Sequence, residues 1–126
     1  MTILVDTSVL IDHLRGNEAA LRAVGDAVRL GERLVCSVVT RVEVLAGVRP
    51  GEEGPTRRLL DAFDWIPVTN DLAEEAGLLA NRYLKSHPGV DSVDFIIAAT
   101  AQEMGAALWT RNVKHFPMIQ DLTPPY

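Results

Sequence analysis

The sequence has little of what secreted and membrane proteins need. Its one cysteine, Cys36, has no partner within the chain, and the surrounding run RLVCSVV predicts a small buried strand residue. No apolar run approaches the roughly 18 residues that span a bilayer, and the opening MTILVDTSVLI lacks a basic leader and a small-residue cleavage site. We therefore expect a soluble, cytoplasmic protein.

Positive charge is also scarce. The chain has 12 Lys and Arg residues against 17 Asp and Glu residues, which gives a formal net charge of −5. Strong nonspecific binding to nucleic acid draws its affinity from many cationic contacts to phosphate, so this balance argues against it. A nucleic-acid partner would have to be engaged locally.

The sequence does contain short apolar segments that alternate with stretches of helical period. Its 126 residues, 48% of them apolar, suffice for a single domain, residues 1–126, with its own buried core. Strands alternating with helices predict an α/β fold in which helices cover both faces of a parallel sheet. The stretch VRPGEEGPT at 48–56 indicates a surface loop. The predicted strands are 2–5, 34–37, 65–68 and 107–110.

Three acidic residues, Asp6, Glu43 and Asp94, each fall where a strand or loop gives way to a helix. Ligands of such folds collect at the carboxyl ends of the strands, and carboxylates gathered there would bind a hard divalent cation. Helix capping is the simpler explanation for each acid alone. Asp6 would cap the helix TSVLIDHL, Thr40 and Glu43 match a capping box, and Asp91 and Asp94 form a looser one. Three carboxylates together would repel one another unless they shared a cation.

Four segments resemble a known family: ILVDTSVLIDHL, SVVTRVEVLAGV, VDFIIAATAQEMGAALWTRN and VKHF. In this order and spacing they resemble the PIN-domain nucleases over almost the whole chain, and specifically the VapC toxins of bacterial toxin–antitoxin pairs. The resemblance implies a three-layer α/β/α fold around a short central parallel sheet. It also implies a Mg²⁺- or Mn²⁺-dependent endoribonuclease that cuts transfer-RNA or ribosomal-RNA loops. The implied partners are a second copy in a homodimer and a small VapB-like antitoxin, which forms a higher assembly and inserts a tail across the active site.

The resemblance assigns Asp6, Glu43 and Asp94 as the catalytic acids, and its D-x-x-I-A-A pattern selects Asp94 rather than Asp91. We expect Asp6 and Asp94 to be the principal metal ligands, with Glu43 as a further ligand, direct or through water, or as a general base. Three carboxylates and one Mg²⁺ leave a formal charge of about −1, which repels phosphate, whereas two ions about 4 Å apart bring it to about +1. One ion would therefore be firmly bound, and the second would arrive with the RNA.

The family often carries a fourth acid near the end of the chain, and here the corresponding positions hold Asn112 and His115. Neither is acidic, so the second metal site should be weak unless Asp91 substitutes. Asn112 would still face the acids and could accept a water or a ribose hydroxyl. The residues expected to contact RNA are Thr7, Ser8, Arg111, Lys114 and His115.

Three alternatives compete with a toxin. A phosphatase of the haloacid dehalogenase type needs a second Asp two residues after the first, and this chain has Ser8 there. A noncatalytic PIN-fold binding module would keep the acids only as caps, and a PIN nuclease could process RNA without being a toxin. One apolar group fits core packing, a homodimer contact or an antitoxin groove: Leu59, Leu60, Phe63 and Trp65.

Overall fold

The computed structural model describes residues 1–126, in which strands and helices alternate along much of the chain. The strands are β1 (Thr2–Val5), β2 (Arg33–Ser37), β3 (Asp64–Ile66) and β4 (Ala107–Trp109). The helices are α1 (Thr7–Leu14), α2 (Glu18–Arg29), α3 (Val38–Ala46), α4 (Glu53–Asp61), α5 (Asn70–Tyr83) and α6 (Ser92–Met104). A short 3₁₀ helix, Val113–His115, follows β4.

The four strands form one parallel sheet in the order β3-β2-β1-β4. Leu4 on the central strand β1 lies opposite Val35 on one side and Leu108 on the other. All four predicted strands are confirmed: the bounds of β1 agree, and those of the other three differ by at most two residues. The sheet order brings the carboxyl ends of β1 and β4 together.

Side chains of β1 alternate between two cores, one on each face of the sheet. Leu4 belongs to a core that includes Phe95 of α6, whereas Ile3 and Val5 belong to a core that includes Leu60 of α4. All three strand residues are 1% exposed, as expected of a central strand covered on both sides. This arrangement confirms the predicted three-layer α/β/α fold.

Helix α3 begins earlier than the sequence suggested, so the capping box of Thr40 and Glu43 is wrong. Strand β2 runs directly into the helix, and the hydroxyl of Ser37 accepts the Val39 amide at 3.3 Å as the N-cap. Thr40 lies inside the helix and is buried. The β-branched pair Val38–Val39 extends the apolar run of the strand, which hides the boundary in the sequence.

The predicted loop at 48–56 is shorter than expected, because α4 begins at Glu53 and contains Pro55 in its first turn. Proline is tolerated there because the amides of a first helical turn have no acceptor within the helix. The sequence signal of two glycines and two prolines therefore marked a helix start as well as a loop.

The apolar residues singled out in the sequence lie mainly in the core. Leu59, Leu60 and Phe63 are buried there, and Trp65 packs against the same cluster. Cys36 is fully buried, and burial raises the pKa of its thiol, so the thiolate is not formed at neutral pH. Among the helices, none has the length and apolarity that a membrane crossing requires.

Candidate active site

A pocket of about 670 Å³ opens where β1 and β4 end. It brings together nearly all of the residues that the sequence indicated, from four parts of the chain. Lys114 is exposed and lies outside the lining. The predicted residues that line the pocket are Asp6, Thr7, Ser8, Glu43, Asp91, Asp94, Arg111, Asn112 and His115.

Asp6 directly follows β1 and is 5% exposed. It occupies the N-cap position of α1, but its side chain accepts no capping hydrogen bond, so the simple capping explanation is wrong for this residue. Its Oδ2 instead accepts hydrogen bonds from the hydroxyls of Thr110 at 2.7 Å and Ser8 at 3.3 Å. Burial raises the pKa of Asp6, and these hydroxyls oppose that shift because they stabilise the ionised form.

Asp94 completes the capping box of α6, whose N-cap is Asp91, and also lines the pocket. The Asp91 carboxylate accepts the Asp94 amide at 3.0 Å, and Asp94 Oδ2 accepts the Asp91 amide at 3.2 Å, which confirms the second predicted capping box. His115 Nδ1 lies 3.3 Å from the same Oδ2. Burial raises the pKa of Asp94 to about 6, with further contributions from nearby charges. Capping and a metal role are therefore compatible in this side chain.

Glu43 reaches the pocket from the middle of α3, and its side chain is tied to α1. The Thr7 hydroxyl donates to Glu43 Oε1 at 2.6 Å and lies 3.3 Å from the hydroxyl of Thr40. Glu43 is exposed, unlike Asp6. A carboxylate that is held at one oxygen but open to solvent can still accept a proton from a bound water.

Sequence reasoning missed Thr110, which is fully buried beside Asp6. Its hydroxyl donates to Asp6 and accepts the Asn112 amide at 3.0 Å, so it links the ends of two strands. The sequence signal was the place of Thr110 at the end of the predicted strand 107–110, since the carboxyl ends of parallel strands meet at one edge of the sheet. Val5 pairs with Trp109, so the next residues along these parallel strands, Asp6 and Thr110, also come together.

The pocket contains five carboxylates but only one guanidinium, so its charge favours a cation. No three Asp, Glu, His or Cys side chains stand close enough to form a ready-made metal cage. The donor set nevertheless fits a hard divalent ion, because carboxylate oxygens are the ligands that Mg²⁺ and Mn²⁺ prefer. Asp6 provides such an oxygen in a buried position, where its hydrogen-bond donors are neutral hydroxyls.

Comparison with known proteins gives consistent results in sequence and in structure. The family model of the PIN domain matches residues 3–118. Ribonuclease VapC19 of Mycobacterium tuberculosis (strain H37Rv) is 46% identical over 98% of this chain and 98% of its own length. Ribonuclease VapC10 of the same strain is 43% identical over 98% of this chain and 92% of its own length.

Two solved structures that share the fold are 27% or more identical to this chain in sequence. A chain of a toxin–antitoxin complex from Klebsiella pneumoniae matches with a TM-score of 0.82 and 33% identity, over 98% of both chains. A chain of VapBC-1 from nontypeable Haemophilus influenzae matches with a TM-score of 0.75 and 27% identity, over 98% of this chain and 96% of its own.

Metal binding at this pocket should weaken in mild acid. Asp94 must be ionised to bind a metal ion, and its pKa of about 6 means that protons compete for it below neutrality. Lowering the pH from about 7.5 to about 5.5 should weaken Mn²⁺ binding in a calorimetric titration by about fourfold. The control Asp71→Asn, in an acidic surface region away from the pocket, should keep the same dependence. Equal affinities at both pH values would contradict the assignment.

Asn112→Asp should tighten metal binding, because it adds a charged oxygen ligand at a position that lines the pocket. The dissociation constant for Mn²⁺ is expected to fall by about tenfold in calorimetry. Asn81→Asp adds the same charge on the exposed surface of α5 and should leave the constant unchanged. If Asn112→Asp behaves like Asn81→Asp, position 112 lies outside the coordination sphere.

Proposed function

The chain belongs to the PIN-domain family, and on that basis we propose that it is the toxin of a toxin–antitoxin pair, a divalent-metal-dependent endoribonuclease. The observation that carries the proposal is the convergence of Asp6, Glu43 and Asp94 on one pocket. The relatives that match nearly the full length are named as VapC ribonucleases. The reaction is hydrolysis of a phosphodiester bond in RNA, in the cytoplasm, and it would inhibit translation until the antitoxin binds.

Asp6 and Asp94 would hold Mg²⁺ or Mn²⁺, with Glu43 as a further ligand, direct or through water. When bound, such an ion lowers the pKa of a water molecule and offsets charge on the phosphate oxygens. Thr110 and Ser8 fix the orientation of Asp6 through their hydroxyls. These hydrogen bonds also favour the ionised carboxylate, which is the form that binds a metal.

Glu43 is the acid best placed to move a proton, because it is exposed to solvent while Thr7 holds one of its oxygens. We assign it as the general base that accepts a proton from the attacking water, if it does not itself bind the metal. Asn112 would orient a water or a ribose hydroxyl without adding charge. A second ion would then depend on the RNA phosphates for part of its coordination, with Asp91 of the pocket lining as a further carboxylate.

An apolar groove of about 410 Å³, lined by the end of α1, by α2 and by α4, is suited to the antitoxin. Its lining includes Val24 and Val28 of α2 and Leu59 and Phe63 near α4. Such a groove takes the apolar face of an amphipathic helix. We assign a helix of the antitoxin as its occupant because a chain in a toxin–antitoxin complex matches this one over 98% of its length.

Val28→Glu should weaken antitoxin binding without affecting RNA cleavage. The side chain is 62% exposed, so a charge there leaves the core intact but faces the apolar side of the partner. Coexpression with the cognate antitoxin, followed by calorimetry, should show a loss of affinity of about tenfold or more. The matched control is Leu30→Glu, at a position 77% exposed and outside the groove. Equal losses of antitoxin affinity in both variants would show that this groove is not the antitoxin-binding site.

Asp6→Ala and Asp94→Ala should each lower RNA cleavage by at least about a hundredfold, because each removes a principal metal ligand. Cleavage of total RNA in Mn²⁺ is followed on denaturing gels, with a chelator as the blank, and growth arrest on expression should disappear. Circular dichroism checks that both variants fold. Asp71→Ala removes the same charge outside the pocket and should cut normally. Undiminished, chelator-sensitive cleavage in both site variants would mean that the acids are misassigned.

A further inference from the structure

Arg111 is the one arginine in the acidic pocket, and two residues outside the proposed metal site hold it. Its Nη1 donates to Asp12 Oδ2 at 3.4 Å. Its guanidinium carbon lies 4.6 Å from the centroid of the Tyr126 ring. The Tyr126 hydroxyl donates to the same Asp12 Oδ2 at 2.6 Å. These contacts join Asp12, Arg111 and Tyr126 into one unit, here called the arginine clamp.

The arginine clamp is anchored to the core on one side. Tyr126 packs against the buried cluster beneath α1, together with Leu14 and Trp109. Burial and the neighbouring Asp12 carboxylate raise the pKa of Tyr126 to about 12, so its hydroxyl remains a donor at neutral pH. The backbone amide of Arg111 donates to Ser8 at 3.1 Å, which fixes the base of the side chain as well. Both ends of Arg111 are therefore held.

Without Asp12 and Tyr126, the side chain of Arg111 could adopt two other arrangements. It could sample many rotamers in solvent, since its side chain is 42% exposed. It could also pair with Asp6 or Asp94, whose carboxylates line the same pocket, and so compete with a metal ion. Asp12 and Tyr126 oppose both outcomes, because they give the guanidinium a carboxylate and an aromatic face other than the metal-binding acids.

We propose that Asp12 and Tyr126 are positioning residues that hold Arg111 ready for a phosphate of the RNA and keep it off the metal-binding carboxylates. Guanidinium has five N–H donors, and the clamp uses one of them, so the remaining donors can contact phosphate oxygens. A side chain that is already ordered loses less conformational entropy when it binds. This inference rests on the proposed ribonuclease function for its RNA contact but not for its effect on metal binding.

RNA binding tests the first half of the proposal. The probe is a fluorescein-labelled single-stranded RNA of about 20 nucleotides and mixed sequence, measured by anisotropy in Ca²⁺ to limit cleavage. Tyr126→Phe keeps the ring but removes the hydroxyl, and should raise the dissociation constant about threefold to tenfold. Asp12→Asn should have a similar effect. Arg111→Gln should weaken binding at least as much and lower the salt-dependence slope by about 0.7.

A double-mutant cycle separates positioning from general destabilisation. If Tyr126 acts through Arg111, then Tyr126→Phe should have no further effect in the Arg111→Gln background. Tyr83→Phe and Arg22→Gln remove the same groups elsewhere on the surface and should bind RNA normally. Independent losses that add in the double variant, or tighter binding by Tyr126→Phe, would overturn the proposal.

Metal binding tests the second half without RNA. Mn²⁺ calorimetry should show weaker binding by Asp12→Asn and Tyr126→Phe, because the released Arg111 pairs with the pocket carboxylates. Adding Arg111→Gln should restore the affinity. Unchanged Mn²⁺ binding in both single variants would overturn the proposal. If the wild-type protein cleaves no RNA, the proposed function fails, yet the calorimetric result still decides whether the arginine clamp protects the acids.

Discussion

The whole site depends on keeping several carboxylates charged at one partly buried sheet edge. Burial raises the pKa of Asp6 and Asp94, so the fold works against their ionisation. Hydroxyl and amide donors oppose this effect locally: Thr110 and Ser8 hold Asp6, and the Asp91 amide holds Asp94. Neutral donors stabilise the charge without neutralising it, so the pocket keeps its attraction for a cation.

The sheet order explains how such a cluster can form. Strands β1 and β4 are neighbours in space, although Asp6 and Thr110 lie near opposite ends of the sequence. Helix α3 starts immediately after β2, on the other side of β1, and carries Glu43 toward the same edge. Parallel strands align their carboxyl ends, so the segments that follow β1, β2 and β4 bring polar side chains to the same pocket. The two cores fix the strands and thereby the spacing of the acids.

Much of the fold and of the site could be predicted from the sequence, because the spacing of apolar residues indicates which of them are buried. The four strands, the layered fold and the convergence of the three acids all followed from it. Helix boundaries did not, since Val38 and Val39 fit a strand as well as a helix and misplaced the cap of α3. The role of Tyr126 could not be predicted from the sequence, for a different reason. Its contacts with Asp12 and Arg111 depend on tertiary packing, and no local pattern encodes them.

The pairing of Val5 with Trp109 also has a consequence for the order of events during synthesis. Asp6 is made 104 residues before its closest hydrogen-bond donor, Thr110. The pocket therefore cannot assemble on a nascent chain until β4 has emerged and joined β1. A nuclease built this way completes its pocket only after β4 has been made, and chains that terminate before β4 lack the pocket wall that it supports.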